Sequence, residues 1–170
     1  IYIVEKREDE FFISLNERGV ILEYCKIRNK ELAHLYFAIF VKRGVTDFEF
    51  PLMTLINDIE DIEILKEYLT REQLDNFYSV DSRTKGKINF SSELNKIYYI
   101  DASDNEYNLF SLPNRIFQTF YASIVKLKTM KEWLIQLNDA NGLGDQYEAT
   151  LLGYSSEGLS RSDLFVIKEK

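Results

Sequence analysis

One cysteine, Cys25, and one histidine, His34, are the sole members of their types in the chain. Metal centres built from several Cys or His ligands are therefore excluded. A thiol–imidazole dyad is the only nucleophilic pair left, but Cys25 falls in an apolar run with strand character and His34 in a helical stretch apolar enough to be buried. In such surroundings a thiol is inert packing. Carboxylates are plentiful: Asp58, Glu60, Asp61 and Glu63 crowd into 58–63, and hard cations and metal-dependent nucleases use such groups. A small metal-dependent enzyme working through this cluster is one alternative, yet no lysine stands two residues after any of the four. Asp139-Ala140-Asn141 opens like a calcium loop, but its twelfth position is Thr150 where a bidentate Glu is needed. Lys85-Gly86-Lys87 lacks the upstream glycine of a phosphate loop, since Asp81 stands there. The sequence thus predicts no catalytic residue, no metal and no cofactor.

The acidic groups have a second reading, as a surface. The chain has 170 residues and a net charge of −7, with 45% hydrophobic and 14% aromatic residues. Residues 45–82 carry ten acidic and two basic side chains, so the imbalance is local, while 83–133 carry eight basic and five acidic ones. An overall acidic chain is poorly suited to direct nucleic-acid binding through phosphates, which takes clustered Lys and Arg. Asp58, Glu60, Asp61, Glu63, Glu67, Glu72 and Asp75, together with Tyr68 and Tyr78, have the composition of an acidic rim around an aromatic centre, fitted to a basic protein partner. Basic protein surfaces commonly belong to nucleic-acid-binding proteins. A plain solubilising surface has the same composition.

The elements that must position these groups read as α+β: a single compact domain with antiparallel hairpins, a buried central helix and further packed helices. Short alternating runs at 1–4, 11–15 and 20–27, broken at Arg18-Gly19, predict a β-meander over 1–27. The helical region spans 29–78. There Asn29 caps a helix carrying Leu32, Leu35, Tyr36, Ile39 and Phe40, and Phe37, Ala38 and Val41 widen its apolar stripe almost to the full circumference, predicting burial on most sides. Pro51 then opens a second, in which Leu52, Leu55, Ile56, Ile59, Ile62 and Leu65 make one stripe. Thr70-Arg71-Glu72-Gln73 has the form of a capping box, with Leu69 and Leu74 as its staple, predicting a new short helix that turns Leu74, Phe77 and Tyr78 inward. A β-hairpin region at 87–112 follows, with strands at 87–90, 97–101 and 107–112, the last two joined by a turn at Ala102-Ser103-Asp104-Asn105. The region 114–153 is helical, with Phe117, Phe120, Tyr121 and Ile124 on one face, then a second capping box at Thr129-Met130-Lys131-Glu132 and a stripe of Met130, Trp133, Leu134 and Leu137; two helices and one bent helix both fit this pattern. A strand at 163–168 closes the chain. No apolar run reaches membrane-spanning length and no secretory leader is evident, so a soluble, reducing, cytoplasmic setting is expected.

Two resemblances add to this. Leu137-Asn138-Asp139-Ala140-Asn141-Gly142-Leu143-Gly144 resembles the core of the helix-hairpin-helix family, with Leu151, Leu152 and Gly153 where a second helix would run and end. Glu148 stands where that family has a small residue, and the family's assisting basic residue is absent, so the likeness implies a structural hairpin at Gly142, Leu143 and Gly144 rather than a DNA contact. Ile1-Tyr2-Ile3-Val4-Glu5-Lys6-Arg7, the stretch 37–45 and Gly142-Leu143-Gly144 together resemble staphylococcal phage host-takeover proteins that bind the sigma factor of the host RNA polymerase. That resemblance implies a non-enzymatic protein docking on the sigma factor's DNA-binding C-terminal domain in the host bacterial cytoplasm and altering host transcription. An immunity protein that inhibits a nuclease toxin by covering it is the other binding alternative.

Overall fold

Arg18 and Gly19 both adopt left-handed backbone (φ 51° and 87°) between the paired residues Glu17 and Val20. A two-residue loop with two positive φ values matches the right-handed twist of flanking strands. It joins β2 (Glu10–Glu17) to β3 (Val20–Ile27), and β1 (Tyr2–Arg7) pairs with β2 to complete an antiparallel sheet in the order β1-β2-β3. The computed structural model describes residues 1–137. The Gly142-Leu143-Gly144 hairpin, the helix expected up to 153 and the strand expected at 163–168 lie outside the described residues.

Helix α1 (Lys30–Val45) begins where the Asn29 side chain accepts from the Leu32 N–H (2.9 Å), and ends where the Thr46 hydroxyl donates to the Lys42 carbonyl (2.7 Å). Leu32, Ala33, Tyr36, Ile39 and Phe40 are buried, but His34 and Ala38 are exposed. The helix is therefore buried along one broad face rather than nearly all round. The most enclosed helix is α4 (Ile116–Leu137), entered through a 3₁₀ turn at Pro113–Arg115. It is continuous. Thr129-Met130-Lys131-Glu132 does not start a new helix, and the Thr129 hydroxyl donates back to the Val125 carbonyl (2.9 Å). An N-cap needs extended backbone, and here Leu127, Met130, Trp133 and Leu134 are all buried along one uninterrupted helix.

The stripe from Leu52 to Leu65 is likewise not one helix. It is split into α2 (Met53–Ile56) and α3 (Ile62–Arg71) by an elbow at 57–61. Asp61 causes the restart: its backbone is extended and its carboxylate accepts from the Glu63 N–H (2.8 Å), a local bond that competes with the helix ladder. From α4, the Gln118 amide donates to Asn57 Oδ1 (3.0 Å) and pins the other end of the elbow. The Thr70–Gln73 motif proves to be a helix end. Gln73 is left-handed (φ 57°), its N–H donates to the Thr70 carbonyl (3.0 Å), and the Leu74 N–H donates to the Leu69 carbonyl (3.0 Å). That bond pair, with buried Leu69 and Leu74, is a Schellman closure. The two leucines staple the C-terminus of α3, not the N-terminus of a new helix.

Tyr78 accordingly follows a 3₁₀ turn (Asp75–Phe77) and opens β4 (Tyr78–Val80), a strand absent from the sequence expectation. It pairs in parallel with β5 (Ile88–Ser91); β6 (Lys96–Ile100) and β7 (Glu106–Leu109) continue antiparallel, giving the order β4-β5-β6-β7. Parallel neighbours usually need a crossover of a dozen or more residues; here 81–87 suffices. Buried Asn89 holds that short loop, its Oδ1 accepting from the Thr84 N–H (2.8 Å) and its Nδ2 donating to the carbonyls of Thr84 (3.0 Å) and Lys87 (2.9 Å). Lys131 of α4 donates to the Gly86 carbonyl (3.0 Å), and Gly86 supplies the left-handed residue the loop needs (φ 67°).

Two stability measurements check these assignments by urea denaturation. Gln73→Gly should raise unfolding free energy by about 0.5–1 kcal/mol, because glycine adopts the left-handed position without a Cβ penalty. Asn89→Ala should lower it by about 3 kcal/mol, because buried backbone groups of the crossover lose their partners.

Candidate functional site

Ile62, Leu65 and Leu69 turn α3 toward the core, with Leu65 and Leu69 fully buried. Helical spacing then fixes what faces outward. Ile64 lies between those positions in sequence and is 47% exposed, with Asp61 three residues before it and Glu67 and Tyr68 three and four after. Residues at these offsets share one face. Leu55, in α2 just before the elbow, is also exposed. The apolar element of the acidic surface is therefore aliphatic, Ile64 and Leu55, with only Tyr68 contributing a half-buried ring. Sequence patterning carried a signal for Ile64: it falls outside the apolar stripe of its own helix.

The nine residues expected to make the site divide into two groups. Asp58 and Glu60 are exposed on the elbow and pair with no basic side chain among the described residues. Asp61 is exposed but engaged as the N-cap. Glu63 holds Lys66 (2.8 Å), which raises the pKa of that ammonium, and Glu67 lies 3.8 Å from Arg71. The Arg71 guanidinium also covers the Tyr68 ring at 5.3 Å. Exposed pairs of this kind contribute little stability and exchange readily for a partner's charges. Glu72 is exposed at the end of α3.

The remaining two belong to the scaffold. Tyr78 is buried edge-to-face against Phe120 (5.8 Å), and its hydroxyl donates to Asp75 (3.4 Å), which also accepts from the Thr70 hydroxyl (2.7 Å). Burial and then the nearby Asp75 charge push the Tyr78 pKa up. Its ring is not available as the aromatic centre of a binding patch.

Among the described residues no group of three or more Cys, His, Asp or Glu side chains is placed to hold a metal ion. His34 is exposed on α1, its ring edge-on to Phe11 at 6.1 Å. The buried carboxylate Asp101 is a turn-former. Burial alone would raise the Asp101 pKa, but hydrogen bonds from the Asn105 side chain (2.9 Å) and N–H (2.8 Å) and the Tyr107 hydroxyl (2.9 Å) outweigh it and lower the pKa. Tyr107 is pushed up to about 12, by burial first and then by Asp101. The pair locks the β6–β7 turn at 102–105, a turn the sequence reading placed correctly.

Compared with protein families, with curated proteins and with solved structures, the chain matches none. No helix among the described residues is long and apolar enough to cross a membrane.

The pH dependence of stability reports the Asp101–Tyr107 lock. A depressed carboxylate contributes stability that is lost as pH falls through its folded pKa, and a raised phenol contributes stability that is lost as pH rises from 10 toward about 12. Denaturation midpoints measured across pH should show Asp101→Asn flattening the acid limb and Tyr107→Phe flattening the alkaline one.

Proposed function

We propose that the chain is a non-enzymatic regulatory binding protein whose α3 ridge docks on a basic nucleic-acid-binding protein. The resemblance of its sequence to phage host-takeover proteins makes the DNA-binding C-terminal domain of a bacterial sigma factor the first partner to test, with altered host transcription as the consequence. The observation that carries this reading is Ile64, 47% exposed on a helix face it shares with Asp61, Glu67 and Tyr68. An exposed apolar side chain ringed by charge has the composition of an interface anchor with a polar rim. Asp58 and Glu60 extend the negative field beyond the helix, where no base among the described residues neutralises them. Such a field speeds encounter with a basic surface, and the anchor slows departure.

The test separates those two roles by binding kinetics on the isolated sigma-factor domain at several salt concentrations. Combined reversal Asp58→Lys, Glu60→Lys and Glu67→Lys should slow association about tenfold at low salt and flatten its salt dependence. Asp61 is left intact because it caps α3. Ile64→Ala should leave the association rate alone and raise the dissociation rate about tenfold, equivalent to about 1.4 kcal/mol. Absence of binding by the unmodified protein would remove the sigma factor from the proposal. Binding that neither variant alters would remove the ridge.

A further inference from the structure

The four edges of the two sheets are not equally protected. On β1, Glu5, Lys6 and Arg7 are exposed and charge that edge. The β2–β3 ladder is irregular between Ile13 and Ser14, and Lys26 and Arg28 at the end of β3 gather around Glu10. β4 is three residues long, and its Ser79 hydroxyl is tied to Ser82 and Thr84. These are the usual devices that keep strand edges from pairing. β7 is also short, at four residues, but has none of the other devices: it carries no lysine or proline, its ladder with β6 is regular, and its single charge, Glu106, is neutralised by Lys96 (2.6 Å). No strand lies on its far side among the described residues.

The direction of its backbone groups follows from the ladder. Asp101 N–H donates to the Asn105 carbonyl (3.1 Å), and Ile100 directs its carbonyl the other way, to the Gly86 N–H (2.7 Å). Antiparallel pairs alternate between bonded and non-bonded, so Tyr99–Tyr107 and Ile97–Leu109 are bonded pairs. The N–H and C=O groups of Glu106, Asn108 and, beyond the strand end, Phe110 therefore point outward. Phe110 is 66% exposed and Leu112 50% exposed, and Pro113 ends the extended run.

We propose that β7 pairs antiparallel with β7 of a second copy of this chain, joining two four-stranded sheets into one. The edge is self-complementary in the register centred on Asn108. Glu106 then faces Phe110 of the other copy, Tyr107 faces Leu109, and Asn108 faces its equivalent, so no like charges are opposed. Each of the three outward-facing pairs, Glu106–Phe110 counted twice and Asn108–Asn108, exchanges two backbone bonds, about six in all. Shifting the register by two residues in one direction matches Phe110 with Asp104, and in the other matches Glu106 with Leu112. A second copy suits this edge better than an arbitrary peptide because the same residues supply both halves of every pair, as a two-fold interface requires.

Sedimentation velocity of the full chain from low micromolar to near-millimolar concentration, with amide hydrogen exchange at both extremes, tests it. The expected result is a concentration-dependent dimer in which the amides of Glu106, Asn108 and Phe110 gain protection as dimer forms. Phe110→Glu, which sets like charges opposite each other in the paired register, should weaken the dimer at least about tenfold without lowering the unfolding temperature. Asn108→Pro removes an outward N–H and should do the same; if that variant does not fold, Phe110→Glu decides alone. A chain that stays monomeric throughout, a dimer undiminished by Phe110→Glu, or the three amides already protected in dilute monomer would each overturn the proposal.

Discussion

The buried face of α4 is the constraint on which the other elements depend. Phe120 lies between the rings of Tyr78 (5.8 Å) and Phe90 (5.6 Å), so one side chain ties β4 and β5 to the helix. More than three turns along, Trp133 meets Phe48 (5.9 Å), Phe48 stacks on Phe50 (6.4 Å), and Phe50 meets Tyr121 edge-on (6.4 Å). That series of rings lays the segment after α1 along α4, and the Leu52 N–H donates to the Tyr121 hydroxyl oxygen (3.3 Å) where α2 begins. Lys42 of α1 sits over the Trp133 ring at 4.6 Å. Aromatic contacts of this geometry add to the free energy of simple area burial, and here they link the second sheet, α1 and the segment leading into α2 through one element.

The acidic ridge follows from that packing. With Ile62, Leu65, Leu69 and Leu74 turned inward, α3 has no freedom over which face it shows to solvent. Acids on the outer face are tolerated because water solvates them, and the two bases of the segment, Lys66 and Arg71, take up Glu63 and Glu67. The elbow acids Asp58 and Glu60 have no such neighbour among the described residues. Negative potential is thereby concentrated at the start of α3, where the helix dipole's positive end also favours it.

Polar groups inside the molecule follow a different rule from those on the ridge. Asn89 and Asp101 are buried, and each is satisfied by several bonds to a neighbouring turn. Both act on the second sheet, one shortening its parallel crossover and the other closing its last hairpin. Burying such groups is favourable only when they are fully bonded, so each fixes a loop conformation instead of offering a reactive atom.

Local sequence determined a good deal by itself. The α+β class, the meander over the first 27 residues, the Asn29 cap, the turn at 102–105 and the inward face of Phe117, Phe120, Tyr121 and Ile124 all arise from short-range propensity and periodicity, which neighbouring residues suffice to set. It also located the acidic surface. What it misassigned or left open shares one cause: Thr70–Gln73, Thr129–Glu132 and the Leu52–Leu65 stripe are patterns whose meaning depends on backbone direction at one residue, and tertiary packing chose that direction. Leu69 and Leu74 were recognised as a pair, but only the left-handed Gln73 made them a helix end. Likewise β4 exists because β5 lies beside it, since three residues carry too little period to declare a strand. Tyr78 left the ridge for the core, and Ile64 took its place, because the rotation of α3 was decided by what α4 needed to cover.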